Sequence, residues 1–116
     1  MKLNDCVDVL NARIMVPSDD MEMDIKVACG ADLMSDVMAF ACASNEAMLT
    51  GLVNPQVIRT AEMMDVKVIV FVRGKVPNDQ MIEMGREKGI CILCTVLPMF
   101  TACGLLYQGG IKGKGE

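Results

Sequence analysis

The segment from Val66 to Val72 constrains this chain most, because all of it is β-branched or aromatic except Lys67. A strand with one wet face alternates apolar and polar residues. A run that is apolar at nearly every position is dry on both faces, as in the middle of a parallel sheet covered by helices. The same logic repeats on either side of it. Ala47 to Thr50 reads as a short buried strand ending at Gly51, and Ile90 to Thr95 as another beginning after Gly89. Between these strands lie helix signals. Asn54 is a capping residue with Pro55 at the first helical position, which predicts a helix to about Asp65. Pro77-Asn78-Asp79 starts a second helix, Gln80 to Lys88, and a third opens at Pro98 and closes at Gly109-Gly110. From residue 47 onward the order is therefore strand, helix, strand, helix, strand, helix, with short connections. That order specifies an α/β fold: a single layered domain with a mostly parallel sheet and helices packed on it. Right-handed crossovers would gather the three βα loops along one edge of the sheet.

The N-terminal part is less regular. Leu3, Cys6, Val7 and Leu10 recur at helical spacing and predict a short amphipathic helix over Lys2 to Leu10. Ala12 to Val16 reads as a strand, Pro17-Ser18-Asp19-Asp20 as a turn, and Asp24 to Gly30 as a second extended segment. Ala31 to Phe40 is helical by period, with Asp32 available as its N-cap and Ser35 and Asp36 in its first turn. Ser44-Asn45-Glu46 breaks that pattern. No repeat, low-complexity run or linker marks a second domain, so residues 1–110 are read as one unit and 111–116 as a flexible C-terminal tail.

Composition narrows what such a domain can do. The chain holds 116 residues, and folding should reduce its accessible surface from about 18,000 to about 6,000 Å², enough for a core that needs no disulfides. There is no histidine, which excludes a His-containing triad, a Cys2His2 zinc site and a haem-ligating His. One Tyr, three Phe and no Trp make a poor stacking platform for single-stranded nucleic acid. Net charge is −4, without the basic stripe that counterion release on DNA or RNA requires, so no nucleic acid partner is expected. The apolar runs are far below the 18 or so residues that span a bilayer, so no membrane partner is expected either. Acidic residues stand where a secretory signal would have its apolar run, and the protein is read as cytoplasmic.

In that compartment the six cysteines are read as reduced thiols. Cys91 and Cys94 are three apart in a strand and so point to opposite faces, which spoils a metal pincer or a redox pair. Cys6, Cys29, Cys42 and Cys103 fall singly in apolar contexts, as small core hydrophobes do. No cofactor is expected.

Ligands of open α/β sheets sit beyond the carboxyl ends of the strands, where helices present unpaired N–H groups. The candidate ligand-binding residues there are Thr50, Gly51 and Asn54 after one strand, Arg73 and Gly74 (with Lys75) after the next, and Thr95 after the third. The glycines admit close approach, Thr and Asn supply directional hydrogen bonds, and Arg73 can pair with a carboxylate or phosphate. Each of these residues also has a structural reading: strand end, helix cap or solvated charge. No GxxxxGK[ST], GxGxxG or serine nucleophile elbow occurs. Asp32 and Asp36, four apart on a helix, would face the same way and could hold a hard cation with Ser35, although capping and dipole preference explain both. Many of the twelve methionines fall on or beside apolar helix faces, as core or as an adaptable interaction surface.

Three stretches, Ala28-Cys29-Gly30-Ala31-Asp32-Leu33-Met34-Ser35-Asp36-Val37-Met38, Leu49-Thr50-Gly51-Leu52-Val53-Asn54-Pro55-Gln56-Val57-Ile58-Arg59-Thr60-Ala61 and Val70-Phe71-Val72-Arg73-Gly74-Lys75-Val76-Pro77, resemble the DRTGG domain family. The resemblance covers nearly the whole chain. It is to the small stand-alone members of anaerobic bacteria, often described as HPr-kinase-like and encoded near iron hydrogenase components. The chain is also similar to regulatory modules attached to CBS-domain pyrophosphatases and some phosphotransacetylases, and to the N-terminal, non-catalytic part of HPr kinase. The resemblance implies a regulatory or ligand-sensing α/β module, commonly self-associating as a homodimer, without established catalysis. Where the eponymous Asp-Arg would fall stands Val53-Asn54, and where Thr-Gly-Gly would fall stands Val72-Arg73-Gly74. Either Arg73 takes over as an anion contact or the motif's site is lost. The kinase label does not carry over, since the phosphate-binding loop of HPr kinase lies in a separate domain that the resemblance does not reach.

Three functions are thus expected, in order. The first is a non-catalytic domain that binds a small anionic metabolite or nucleotide at the βα loop edge. The second is an interaction module for a hydrogenase-associated redox enzyme, making contact through methionine-rich helix faces. The third is a small metal-dependent enzyme using Asp32 and Asp36.

Overall fold

The computed structural model describes residues 1–40 and 46–116. Among the described residues ten elements follow one another: α1 (Leu3–Leu10), β1 (Arg13–Val16), β2 (Val27–Gly30), α2 (Met34–Phe40), β3 (Glu46–Thr50), α3 (Pro55–Met63), β4 (Val68–Phe71), α4 (Asp79–Lys88), β5 (Cys91–Cys94) and α5 (Met99–Gln108). The five strands form one sheet in the order β1-β5-β4-β3-β2. β2, β3, β4 and β5 are parallel neighbours, and β1 joins antiparallel to β5 at the far edge. The expected α/β architecture, mostly parallel, is the observed one.

From β2 to β5 each new strand is added on the same side of its predecessor. Right-handed crossovers in one direction place all three connecting helices on one face. The packing agrees. Met34 and Val37 of α2, Val57, Ile58 and Ala61 of α3 and Met81 of α4 share a core layer with Met48, Ile69, Phe71 and Ile92 of the strands. The alternate strand residues, Ala47, Leu49, Val68, Val70, Cys91 and Leu93, point the other way and pack with Leu3, Cys6 and Leu10 of α1 and with Ala102 and Leu106 of α5. Both faces of the central strands are therefore dry, and every residue of β3, β4 and β5 is buried. This is the physical meaning of the unbroken apolar runs.

Local helix signals hold where the needed partner is close in sequence. The Asn54 side chain accepts a hydrogen bond from Gln56 N at 2.8 Å, with Pro55 opening α3. Asn78 accepts from Met81 N at 2.9 Å, and Gly89 closes α4 in the left-handed conformation. Cys91 and Cys94 lie on opposite faces of the sheet, and burial raises both thiols above the usual range, Cys91 to about 11. Cys6 and Cys29 are likewise pushed up to about 11 by burial, and Cys103 is raised by the same cause. Such thiols stay protonated and inert near neutral pH. Cys42, and Ser44 and Asn45 of the break read at Ser44-Asn45-Glu46, lie outside the described residues, while Glu46 is not part of a break but the buried first residue of β3.

Four expectations need correction. Asp32 does not cap α2: the helix starts later, at Met34, and the Leu33 carbonyl accepts from Asp36 N and Val37 N. The Asp32 side chain is turned away to other partners, described below, so Asp32 and Asp36 are not a carboxylate pair on one helix face. The second extended segment is shorter than Asp24 to Gly30, with Asp24 instead making an isolated antiparallel bridge to Lys2. The segment read as a loose tail is tied down at its start, because Ile111 is buried in the core and Lys112 bridges in parallel to Val27. Finally, of the two readings of the methionines the core one holds and the surface one does not: among the described residues only Met38 and Met63 are large exposed methionines, so the helix faces do not present a methionine-rich surface.

Candidate functional site

Strand register decides which loops meet. Thr50, Phe71 and Cys94 stand level across β3, β4 and β5, and Gly30, Leu49, Val70 and Leu93 form the row before them. All four parallel strands therefore end within one row of each other, and the residues that follow them share one edge. Three of the six sequence candidates, Thr50, Gly51 and Arg73, come together around two strands. Val72 N bonds to Thr50 O at 3.0 Å, so Gly51 and Arg73 emerge side by side.

The centre of this edge is a residue the sequence reading assigned to helix capping. Asp32, just past β2, accepts from Gly51 N through Oδ1 at 2.8 Å and from Arg73 Nη2 through Oδ2 at 3.1 Å. The Thr50 hydroxyl donates a longer bond to Asp32 Oδ1 at 3.5 Å, and the same hydroxyl accepts from Leu52 N at 3.1 Å. The Gly51 amide, then the Arg73 guanidinium and the Thr50 hydroxyl, hold the Asp32 carboxyl below the usual carboxylate range. A Cβ at Gly51 would overlap the Arg73 guanidinium, so a side chain there would displace the guanidinium from its present position.

Arg73 itself sits at φ 60°, a left-handed conformation that a side chain enters only at some cost, and Gly74 follows at φ 72°. What over-determines this turn is the loop after β5: Arg73 N donates to Leu97 O at 2.8 Å and Gly74 N to Thr95 O at 3.0 Å. The turn directs the guanidinium across β3 toward Asp32. Arg73 and Asp32 remain 40% and 51% exposed, so the pair is accessible to a solute.

The remaining candidates are engaged structurally. Asn54 is occupied as the α3 cap. Thr95 is buried and its hydroxyl is fully used, donating to Leu10 O at 2.8 Å and accepting from Leu97 N at 3.2 Å. Gly74 and Thr95 instead line, with Arg13, Lys75 and Val96, a separate cleft of about 420 Å³ beside β1. That cleft opens where the connections leave opposite faces, α4 on one side and α5 on the other, the position at which open α/β sheets carry ligands.

Large hydrophobic side chains are exposed on the segments that follow the strands. Leu33, Val53 and Val76 are exposed on the three loops, and Val96 and Phe100 are 79% and 89% exposed. Among the described residues no group of three or more His, Cys, Asp or Glu comes together to hold a metal. The Asp32/Asp36 metal reading fails on geometry, because the Asp32 carboxylate is committed to Gly51 and Arg73.

The ion pair predicts a pH effect of definite sign. A carboxyl whose folded-state pKa is depressed contributes stability above its ordinary value near 3.8 and loses it as pH falls through the lower folded value. Both partners are about half exposed, so the contribution is only about 0.2–1 kcal/mol. Urea unfolding should show Asp32→Asn less stable than the parent at pH 6. The gap should close below pH 3, and a gap that widens there would contradict the assignment.

No family model matches the chain, and no curated protein matches it. Among solved structures it is similar to the CBS and DRTGG domains of the regulatory region of Clostridium perfringens pyrophosphatase, determined with the activator diadenosine tetraphosphate, with a TM-score of 0.71 and 16% identity. The match covers 92% of this chain, which spans 46% of that one. At this identity the likeness is one of fold, and it gives the protein a DRTGG-like α/β architecture.

Proposed function

We propose that the protein is a non-catalytic regulatory or ligand-sensing domain that binds a small anionic metabolite or nucleotide at the carboxyl edge of its sheet. The observation that carries this reading is the Arg73 turn. A non-glycine residue held at positive φ by two hydrogen bonds from a neighbouring loop aims an accessible guanidinium at a loop cluster. Backbone cost of this kind concentrates at functional sites. Asp32 neutralises the guanidinium. An incoming phosphate or carboxylate takes Arg73 from Asp32, or shares its remaining N–H donors, with the Thr50 hydroxyl on the same carboxylate. Exchange of one anion for another at this loop junction is the sensing step, since it frees Asp32, in the loop after β2, from Arg73. The similar pyrophosphatase region was determined with a dinucleotide activator, which supports a regulatory reading in the same fold.

The test is thermal stabilisation by acetyl phosphate, AMP, ATP and diadenosine tetraphosphate. A ligand present at 100 times its Kd stabilises the folded state by about 2.7 kcal/mol. Arg73→Ala should reduce the response to phosphorylated ligands. A response unchanged in the variant for every one of them overturns the site.

A second reading, a protein-interaction module, is favoured by the exposure of Val96 and Phe100 at the same edge. The contact would be a second copy of the chain or a redox-enzyme partner, made through this loop edge and not through methionine-rich helices. Phe100→Asp should then shift the elution volume in size exclusion toward monomer. An elution volume equal to the parent's would remove this surface from the interface.

A further inference from the structure

We propose a purine-base site, separate from the Arg73 loop edge, in the cleft between the outer edge of β2 and α5. The cleft has a volume of about 380 Å³ and is bounded by Gly30, Leu49, Cys103, Tyr107, Lys112 and Lys114.

The backbone of β2 supplies the recognition element. Residues 27, 29 and 31 turn their N–H and C=O groups toward β3, as the Ala31 N bond to Leu49 O shows. Residues 26, 28 and 30 therefore face the outer edge. Lys112 fills the first half of that edge: its N–H donates to Lys26 O at 3.0 Å and its carbonyl accepts from Ala28 N at 3.0 Å. A strand continuing in register would present residue 114 to the next pair of groups, Ala28 C=O and Gly30 N–H. Beyond the Val27–Lys112 bridge no such pairing is made among the described residues. Gly113 N donates to Glu116 Oε2 at 2.7 Å, and the segment turns away.

Among the described residues, one acceptor and one donor, two residues apart on a strand edge, thus face the cleft without a backbone partner. The Watson–Crick edge of adenine offers the complement, with an N6–H donor beside the N1 acceptor. The gap is too short for an added peptide strand, because Lys112 occupies one end and the chain leaves the edge after Gly30 at the other. It suits one planar base. The walls also fit: Leu49 and Leu106 are apolar, Tyr107 is the chain's only tyrosine, and the protonated Cys103 thiol is a soft contact.

Charge at the rim extends the match to a nucleotide. Lys112 stands over the Tyr107 ring at 4.6 Å from its centre, and Lys114 lines the same cleft. The one carboxylate there, Glu116, is engaged by Tyr107 Oη at 3.1 Å and by Gly113 N. Two ammonium groups at the mouth would hold a 5′-phosphate while the base reads Ala28 and Gly30.

Adenosine tests this site apart from the anion site, since it carries no phosphate for Arg73. In an amide-resolved NMR titration, adenosine should shift the Gly30 amide saturably, together with Tyr107 and Lys112, in the parent and in Arg73→Ala alike. N6,N6-dimethyladenosine, which has lost the N6–H donor, should bind at least tenfold more weakly. AMP should bind more tightly than adenosine, and Lys112→Glu with Lys114→Glu should abolish that gain. A Gly30 amide unmoved by adenosine, shifts confined to residues 50–54 and 73–75, or equal binding of the dimethyl analogue would each overturn the proposal.

Discussion

Phe71→Ala is expected to cost about 3–5 kcal/mol, the most of any single substitution considered for this protein. Phe71 is fully buried at the carboxyl end of β4, in the layer between the sheet and α2, α3 and α4. Truncation removes the transfer free energy of the ring and leaves a cavity beneath the Arg73 turn. The neighbours cannot simply close it, because β4 is hydrogen-bonded to a strand on each side and Phe71 O accepts from Thr95 N at 2.9 Å. Against a typical total of about 5–15 kcal/mol, the variant would stand near the edge of folding. Its Tm should fall by on the order of 10–20 °C. Urea unfolding should show a lower midpoint with an unchanged slope. A loss below about 1 kcal/mol would mean that this layer is not packed as described.

Thr95→Val should come next, at about 2–3 kcal/mol, and it decides between two roles for one residue. Valine keeps the shape and removes the hydroxyl. The Leu10 carbonyl, at the end of a helix on the far face, then loses its buried donor, and Leu97 N loses its acceptor. Buried groups left without partners cost about 1–3 kcal/mol each, and some relaxation is expected here because Leu97 is not fully buried. The loss should appear in unfolding without any ligand present. If instead stability is unchanged and only ligand response falls, Thr95 belongs to the binding site and not to the scaffold. The Leu97 carbonyl also receives Arg73 N. Loosening this loop should therefore relax the Arg73 turn, and the variant should weaken phosphate binding only secondarily.

These two residues illustrate what was legible in the chain. The buried status of Phe71 was plain from Val66 to Val72 alone, since no other arrangement dries both sides of such a run. The Asn54 and Asn78 caps were legible too, because capping involves partners two or three residues away. Thr95 was readable as a strand end but not as a clamp, because its partner Leu10 lies 85 positions back. Asp32 shows the limit most clearly. An acidic residue just before a helical period is a sound N-cap prediction from local rules. It fails here because partners 19 and 41 residues further on, Gly51 and Arg73, compete for the same carboxylate and win.

The candidate edge was found for a reason that is local at each loop and collective only through topology. Every βα unit must deliver its loop to the carboxyl end of its strand, so listing the residues after each strand lists the edge. How those residues pair there depends on strand order and register. The antiparallel seat of β1 on β5, the clamp by the loop after β5 and the Asp32–Arg73 pair are all of this kind. So is the open donor–acceptor pair on β2, which exists only because Lys112 returns to the sheet and Gly113 then turns away.

By itself, the sequence determined the class of fold, the succession of strands and helices, the dryness of the central strands and the capping of α3 and α4. All of these follow from periodicity and from hydrogen bonds made within a turn of the chain. Tertiary structure alone decided which polar groups meet, which of them are already paired, and where backbone edges stay open. Those outcomes depend on contacts between residues tens of positions apart, whose competition for one another has no signature in local pattern.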